Sequence, residues 1–444
     1  MDLLRKIFRG DRVVWIIYGL LCVISIIEVF SAASTLTFKS GNHWLPIRHH
    51  IITLAIGFLA VIFFQYVNLN SIRKIGLYIF YPTSFILLIV VILISFYTGE
   101  KVNDAARWLD IFGFQFQPSE LAKLSVIILT AHCLTKYKES DGKPGTKALL
   151  IIAALTLPVC FLIFSENLST TLLIGLVVYL MLFLGRLNTR LFLKITTVGL
   201  LLATLLLSVI MLTPTQKKNK ESNTIEISFL PSRLSTWKSR ILTFFDNEYI
   251  PPEKYDVDKN GQIAHANIAI ASSKGIGKGP GNSTQRDFLS QAFSDFIYAI
   301  IIEEFGLFFG AALVIVLYLW LFMRVGRIAH NCQHTFPTLL VMGIALMIVT
   351  QAFINMLVAV NLIPVTGQPL PLISKGGSSS LINSAYIGII LSVSRYTKLI
   401  EQQDKIKETQ EIEVEANAII EDLPLEIDLS IDHTEKTIKM EEHE

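Results

Sequence analysis

The sequence predicts an all-α polytopic membrane protein of about ten transmembrane helices with one large extracytoplasmic loop, and three observations carry that reading. Apolar residues make up 52% of the chain and charged residues 17%, with mean hydropathy +0.54; a soluble domain carries about a quarter charged residues. Runs of about twenty apolar residues recur from Val13 to Tyr396, the helix length that a hydrocarbon core of roughly 30 Å requires. Basic residues gather on alternate connections between those runs, as cytoplasmic loops do. A soluble fold is excluded, and no nucleic-acid partner is expected.

Taken in order, residues 1–12 carry Arg5, Lys6, Arg9 and Arg12 and read as a cytoplasmic N-terminus. The apolar run that follows is too long for the core of a signal peptide, so it is expected to remain as the first span. The spans fall at 13–34, 49–67, 76–97, 119–136, 148–164, 169–186, 192–213, 296–325, 336–358 and 380–397. With the N-terminus inside, the short inner loops hold Arg73 and Lys74; Lys136, Lys138, Lys143 and Lys147; Arg186, Arg190 and Lys194; and Arg324 and Arg327. The outer ones hold only Lys39, Arg48, Lys101, Arg107 and Lys375. Both termini are therefore expected in the cytoplasm, and 13–397 is one membrane domain.

Segment 214–293 is then extracytoplasmic. Its first part, with Lys217, Lys218 and Lys220, reads as flexible, and the remainder mixes aromatics, glycines and charges in a way that suits a surface-hugging loop. Residues 398–444 change character. Fifteen acidic residues face five lysines there, a net −10, and the segment reads as a largely disordered cytoplasmic tail. The whole chain is +2, so the body is basic and suits an anionic lipid or polyphosphate. Cys22, Cys133, Cys160 and Cys332 lack any metal-binding spacing and read as small core residues.

Charges inside a bilayer cost about 2.5–3.5 kcal/mol on insertion scales, so they mark function by default. Three clusters qualify. In the first, Arg107-Trp108 precedes Gln117-Pro118-Ser119-Glu120 and Lys123. Pro118 suits the first helical position, Glu120 the positive end of the helix dipole, and Glu120 and Lys123 share a face. Read alone, this fits either an interfacial ion pair or a site.

The second cluster runs from Arg233, Lys238 and Arg240 through Gly275-Ile276-Gly277-Lys278-Gly279-Pro280-Gly281 to Ser294-Asp295-Phe296, then Glu303 and Glu304 deeper in the next run. Glycines allow close backbone approach to a phosphate and Lys278 adds a charge, but a plain turn accounts for the run equally well. Asp295 fits either a helix cap or a functional carboxylate at the membrane boundary. In the third, Asn355, Asn361 and the segment from Pro364 to Ser379 combine three prolines with glycines that end any helix. Irregular backbone at that depth must be buried in protein or line a cavity. Ser374, Gly376 and Gly377 offer donors for an anion, and a structural re-entrant turn is the competing reading.

Together, Gln117-Pro118-Ser119-Glu120 with Lys123, the glycine run into Ser294-Asp295-Phe296, and Pro364-Val365-Thr366-Gly367 through Gly376-Gly377-Ser378 resemble, in order and spacing, the SEDS family of bacterial shape, elongation, division and sporulation proteins (the FtsW/RodA family). The resemblance covers 13–397 and is greatest to division-type members at Gly275 to Gly306. It implies a peptidoglycan glycosyltransferase that polymerises lipid II and its lipid-linked glycan outside the cytoplasmic membrane. It also implies a class B penicillin-binding transpeptidase and other divisome proteins as partners. Asp295 matches the family's essential aspartate. Two departures stand out: Ser165-Glu166-Asn167-Leu168-Ser169-Thr170 replaces the usual Gln-Pro-Asp-Leu-Gly-Thr, and Lys375 stands where tyrosine is common.

The expected chemistry is attack by a sugar hydroxyl on an anomeric carbon bearing a lipid pyrophosphate. Asp295 is the candidate general base. Arg107, Lys123, Arg240 and Lys278 are the candidate cations for the leaving group, with Glu120, Ser374, Gly376 and Gly377 in the same substrate-binding set. A divalent ion (Mg or Mn) bridging phosphates is the one expected cofactor. The alternatives are a flippase for the lipid-linked precursor, which would need a polar path across the membrane, and an intramembrane protease. Ser374 and Lys375 are adjacent and diverge, which disfavours the protease.

Overall fold

In the computed structural model, each of the ten predicted stretches is helical. The structure describes residues 8–32, 44–98, 108–111, 114–165, 167–212, 237–242, 244–245, 257–289 and 292–421. The helices are α1 (Arg12–Ala32), α2 (Trp44–Tyr66) and α3, which runs Leu69–Ile75, a π turn Gly76–Phe80, and Tyr81–Thr98. A two-stranded antiparallel ribbon, β1 (Leu109–Ile111) and β2 (Phe114–Phe116), leads into α4 (Pro118–Lys136). Then come α5 (Thr146–Phe164), α6 (Leu168–Leu184), α7 (Thr189–Leu212), α8 (Val257–Ser272), α9 (Ile297–Gly306), α10 (a π turn Leu307–Ala312 continued by Leu313–His330), α11 (Thr335–Ala359) and α12 (Gly377–Glu421).

Among the described residues, seven stretches are long and apolar enough to cross a membrane: Arg12–Ala32, Ile47–Tyr66, Leu69–Ile94, Thr146–Phe164, Thr189–Leu212, Ile297–His330 and Thr335–Ala359. Leu168–Leu184 is a shorter apolar helix. The two remaining predicted spans are α4 and the first part of α12, whose charges and serines dilute their hydropathy. α4 is also the helix at the centre of the bundle. From Pro118 to Ala131 every side chain is buried, and α3, α5, α6 and α11 pack around it. Charges are tolerated in a membrane domain where protein, not lipid, surrounds them. α7 is the opposite case, with Ile210 its one buried residue among leucines that face outward.

The predicted span at 296–325 is not one helix. Gly306 has φ 77° and ψ −171°, which ends α9 after ten residues, and the membrane-length run starts afresh at Leu307. α9 is a short, wholly buried rod from Ile297 to Glu304. The glycine run 275–281 closes over its end. Lys278 N donates to Glu303 O at 2.9 Å, Gly279 N to Glu304 O at 2.8 Å, and Leu307 N to Gly275 O at 2.9 Å. A Cβ on Gly277 would overlap Glu304 O and Gly306 N, and one on Gly306 would overlap the carbonyls of Gly275 and Ile276. The close approach these glycines permit is therefore to α9.

At the other end of the bundle, Asp11 accepts from Val13 N and Val14 N at 2.9 and 3.2 Å, capping α1. Its second oxygen accepts from Arg324 Nε and Nη2 at 2.9 and 2.7 Å, joining α1 to α10. The chain forms two compact units, Met1–Thr397 and Lys398–Glu444. The tail departs from the expected disorder over its described part: α12 continues to Glu421. Glu, Lys, Gln and Ile have adequate helix propensity, and repulsion among exposed acids is spread over several turns. Residues 422–444, and the whole first part of the loop expected outside the cytoplasm, lie outside the described residues.

Gly277→Ala is expected to lower the thermal unfolding temperature in detergent far more than Gly281→Ala. Both have positive φ (91° and 79°), but a Cβ at 281 meets nothing within 4 Å, so that variant carries only the left-handed cost of about 1–2 kcal/mol. Equal losses would show that backbone strain, not the contact with α9, sets the requirement.

Candidate active site

Asp295 sits in a turn, 292–296, just before α9. Three consecutive carbonyls of that turn are held from outside it. Lys375 N donates to Phe293 O at 2.9 Å, Ser374 Oγ to Ser294 O at 2.6 Å, and Asn355 Nδ2 to Asp295 O at 2.8 Å. The cap position of α9 belongs to Phe296, which has no side-chain oxygen, so helix capping is not what the aspartate does. Its Oδ1 accepts from Ser294 Oγ at 3.1 Å, and the residue is half-buried.

The loop that supplies two of those donors is the predicted Pro–Gly segment after α11, and its own backbone is satisfied side chain by side chain. Asn355 Nδ2 also donates to Gln368 O at 2.8 Å. Gln368 Nε2 reaches Thr170 Oγ1 on α6 at 2.8 Å. Gln351 Nε2 donates to Pro369 O at 3.0 Å, Tyr318 OH to Pro371 O, and Leu370 N to Ser374 Oγ at 2.8 Å. From α1, Ser25 Oγ donates to Ile373 O at 2.7 Å. With its one proton committed there, Ser25 accepts at 2.8 Å from His50 Nε2.

The first cluster joins the same construction. Gln117 N donates to Ser378 Oγ at 2.9 Å. Lys123 Nζ lies 2.7 Å from Glu120 Oε1 and 2.8 Å from Gln351 Oε1, and both charged residues are buried. Gln351 thus has one end on the ion pair and the other on the loop. Three buried acceptors around this assembly have no protein partner: Glu120 Oε2, Asn355 Oδ1 and Thr366 Oγ1. Such atoms are where a bound molecule or water would donate.

The expected cations separate. Arg240 is exposed and donates to Val365 O at 3.1 Å, so it reaches the rim of the loop. Lys123 is enclosed in its ion pair. Lys278 is on Glu303 at 2.6 Å and Thr284 at 2.9 Å, holding the glycine clamp. Arg107 lies outside the described residues. Gly376 O accepts from Ser380 N at 2.9 Å, and Gly377 opens α12. Lys375 adds a cation that the sequence reading treated as a departure. Its Nζ lies 5.4 Å from the Phe293 ring centroid, and burial holds its ammonium below the usual lysine value. Among the described residues no three His, Cys, Asp or Glu side chains converge, so they form no cage for a divalent ion.

Gln351, Gln368, Thr170 and His50 were not singled out as site residues from sequence. Gln351 and Asn355 carried a usable signal, since two amides four apart share a face of an otherwise apolar helix. Thr170 was set aside because the motif around it is degraded, yet its hydroxyl is where the loop is tied to α6.

Lys123→Met is expected to destabilise strongly, by about 3–5 kcal/mol, since it strands the Glu120 charge in the interior. The double variant Lys123→Met/Glu120→Gln is expected to recover much of that in detergent unfolding. A double variant no more stable than the single one would mean that the ion pair is not what Lys123 serves.

The family model described as "Cell cycle protein" (FTSW_RODA_SPOVE) matches residues 11–399. A Geobacter sulfurreducens protein named "Probable peptidoglycan glycosyltransferase FtsW" is 28% identical over 398 residues, covering 89% of this chain and 97% of that protein. The protein of the same name from Polynucleobacter necessarius is 30% identical over 413 residues, covering 90% and 89%. Among solved structures, a chain from "a peptidoglycan synthase complex" superposes with TM-score 0.64 at 23% identity, over 87% of this chain and 98% of its own. The Thermus thermophilus rod shape determining protein RodA does so at 0.58 and 22%, over 87% and 97%. The fold is thus that of RodA, and the chain is an integral membrane protein. With a family model spanning 11–399 and the three motifs assembled around one loop, the chain belongs to the FtsW/RodA/SpoVE family of cell cycle proteins.

Proposed function

We propose that the chain is a peptidoglycan glycosyltransferase that polymerises lipid II at the division septum, with Asp295 as general base. The observation that carries this reading is the pinned turn: three donors fix the backbone of residues 293–295 while Asp295 is only half-buried. Relatives named as peptidoglycan glycosyltransferases at 28–30% identity over most of the chain support it.

A sugar hydroxyl becomes a competent nucleophile when a base takes its proton in the transition state, which contributes typically 10²–10⁴-fold. Asp295 would accept that proton as the hydroxyl oxygen bonds to the anomeric carbon and the lipid pyrophosphate departs. The unpartnered Thr366 Oγ1 suits a sugar hydroxyl donor. Charge grows on the leaving diphosphate, and the cations suited to it are Lys375, Arg240 at the loop rim and Arg107 before α4. Lys123 and Glu120 act from behind, by fixing Gln351. A divalent ion, Mg or Mn, held by the diphosphate oxygens would add positive charge beside these cations.

The reading puts the protein in the cytoplasmic membrane of a bacterium with both termini inside, consistent with the positive-inside count, and Asp295 at the outer surface. A class B penicillin-binding transpeptidase is the proposed partner. The flippase alternative is less well supported, because Lys123, Glu120 and Gln351 are buried and bonded to one another instead of lining a polar path.

Purified protein given labelled lipid II, with and without the transpeptidase, is expected to produce glycan ladders. Asp295→Asn is expected to insert normally and lose at least about 10²-fold in rate; polymerisation at the wild-type rate would remove Asp295 from this role. Asn355→Ala is expected to lower kcat by roughly tenfold with little change in KM, the worth of one hydrogen bond holding the base. A change confined to KM would make Asn355 a substrate contact instead.

A further inference from the structure

Away from the proposed active site, α1 carries a carboxylic acid that nothing described so far uses. Glu28 is 0% exposed, and neither of its oxygens has a hydrogen-bond partner. Three residues further along the same face, Ser31 Oγ donates to Glu304 Oε1, which brings the Glu304 carboxylate to the stretch of α1 that carries Glu28. The two acids are not equivalent. Glu304 also accepts from Gly281 N at 2.8 Å and Ser283 N at 3.3 Å. Three donors stabilise a carboxylate. Glu28 has none, and an unpaired ion in such surroundings neutralises instead of remaining charged.

We propose that Glu28 and Glu304 form a proton-binding carboxyl pair inside the membrane domain, with its single proton on Glu28, and that this proton keeps Arg286 on the glycine clamp. Arg286 Nη1 donates to Ser31 Oγ at 3.1 Å and to Gly281 O at 2.7 Å, while its buried Nε makes no hydrogen bond and lies 4.0 Å from Oδ1 of the exposed Asp287. Release of the proton to water leaves two carboxylates side by side, which the low dielectric disfavours unless a cation moves between them. The cation poised to do so is Arg286, and its movement gives up the bond to Gly281.

The other charged and titratable groups on these elements are committed elsewhere. Glu303 on α9 is held by Lys278, Ser283 and Thr284. His50 on α2 bonds Ser25, a turn toward the start of α1. Arg324 on α10 bonds Asp11 at its far end.

The test uses the full-length protein in lipid nanodiscs and does not depend on the reaction the protein catalyses. Difference infrared spectra are expected to show a protonated-carboxyl band at neutral pH that disappears at alkaline pH and is missing from Glu28→Gln. Glu304→Gln, which removes the neighbouring charge, is expected to move the band's midpoint to lower pH by at least about one unit, a tenfold fall in proton affinity. Amide hydrogen exchange at 281–285 is expected to quicken as the wild-type band disappears, and to stay slow across the same range in Glu28→Gln.

Retention of the band in Glu28→Gln, or an unmoved midpoint in Glu304→Gln, would overturn the pair. Exchange that ignores the band would overturn the coupling to the clamp. A wild-type band that appears only after sodium or magnesium is removed would make a metal cation the ligand and sink the proton assignment. The wild-type titration stands without any variant, so a misfolded Glu28→Gln leaves the spectral and exchange tests intact.

Discussion

A stretch of backbone that cannot be helical, lodged among helices, dictates much of this protein. In a membrane domain an unsatisfied peptide group costs several kcal/mol, and no water stands by to relieve it. Prolines 364, 369 and 371 rule out a helix across the segment after α11. Its carbonyls must therefore be met by side chains, and the molecule sends them from several directions: Gln351 and Asn355 from α11, Tyr318 from α10, and Ser25 from α1. Gln368 extends the network by donating to Thr170 on α6. Polar residues in otherwise apolar helices are explained by this demand. The loop in turn becomes rigid enough to hold another piece of irregular chain, the Asp295 turn, by its backbone.

Backbone attachment matters for what the turn can do. Carbonyls 293, 294 and 295 accept the external donors, which fixes the Cα of Asp295 through its backbone. Lys123 follows the same logic at one remove. Its ammonium and Glu120 are both enclosed, and a buried pair is weak evidence of stabilisation in itself. What the pair does is set the oxygen end of Gln351, so that the nitrogen end points at Pro369 O.

Much of this architecture was legible in the sequence because hydropathy and proline are local signals. The ten apolar stretches, the motif at Gln117 to Lys123 and the break after Asn361 all come from neighbours in the chain. Lys278 was misleading for a physical reason: glycines beside a lysine look alike whether they approach a phosphate or another backbone, and here the approach is to Gly306 and Glu304. The break at Gly306 was also hidden, since apolar residues continue on both sides of it. Glu28 was missed although an acid in a first span is a readable signal; only the tertiary structure shows that neither oxygen is met.

Three acids lie within ten residues of one another, at 295, 303 and 304, and hydrogen bonding tells them apart. Glu303 accepts from Lys278, Ser283 and Thr284, the last through both its N–H and its hydroxyl. Glu304 accepts from Ser31 and the N–H groups of Gly281 and Ser283. Lone pairs spent on such donors tie both glutamates to the glycine clamp. Both glutamates are also buried, away from any lipid-borne sugar. Asp295 alone of the three is only half-buried; its backbone carbonyl accepts from Asn355 and its Oδ1 from Ser294 Oγ. Position along ten residues of chain therefore separates the clamp glutamates from the proposed base, and the separation is made by where the surrounding N–H and O–H groups point.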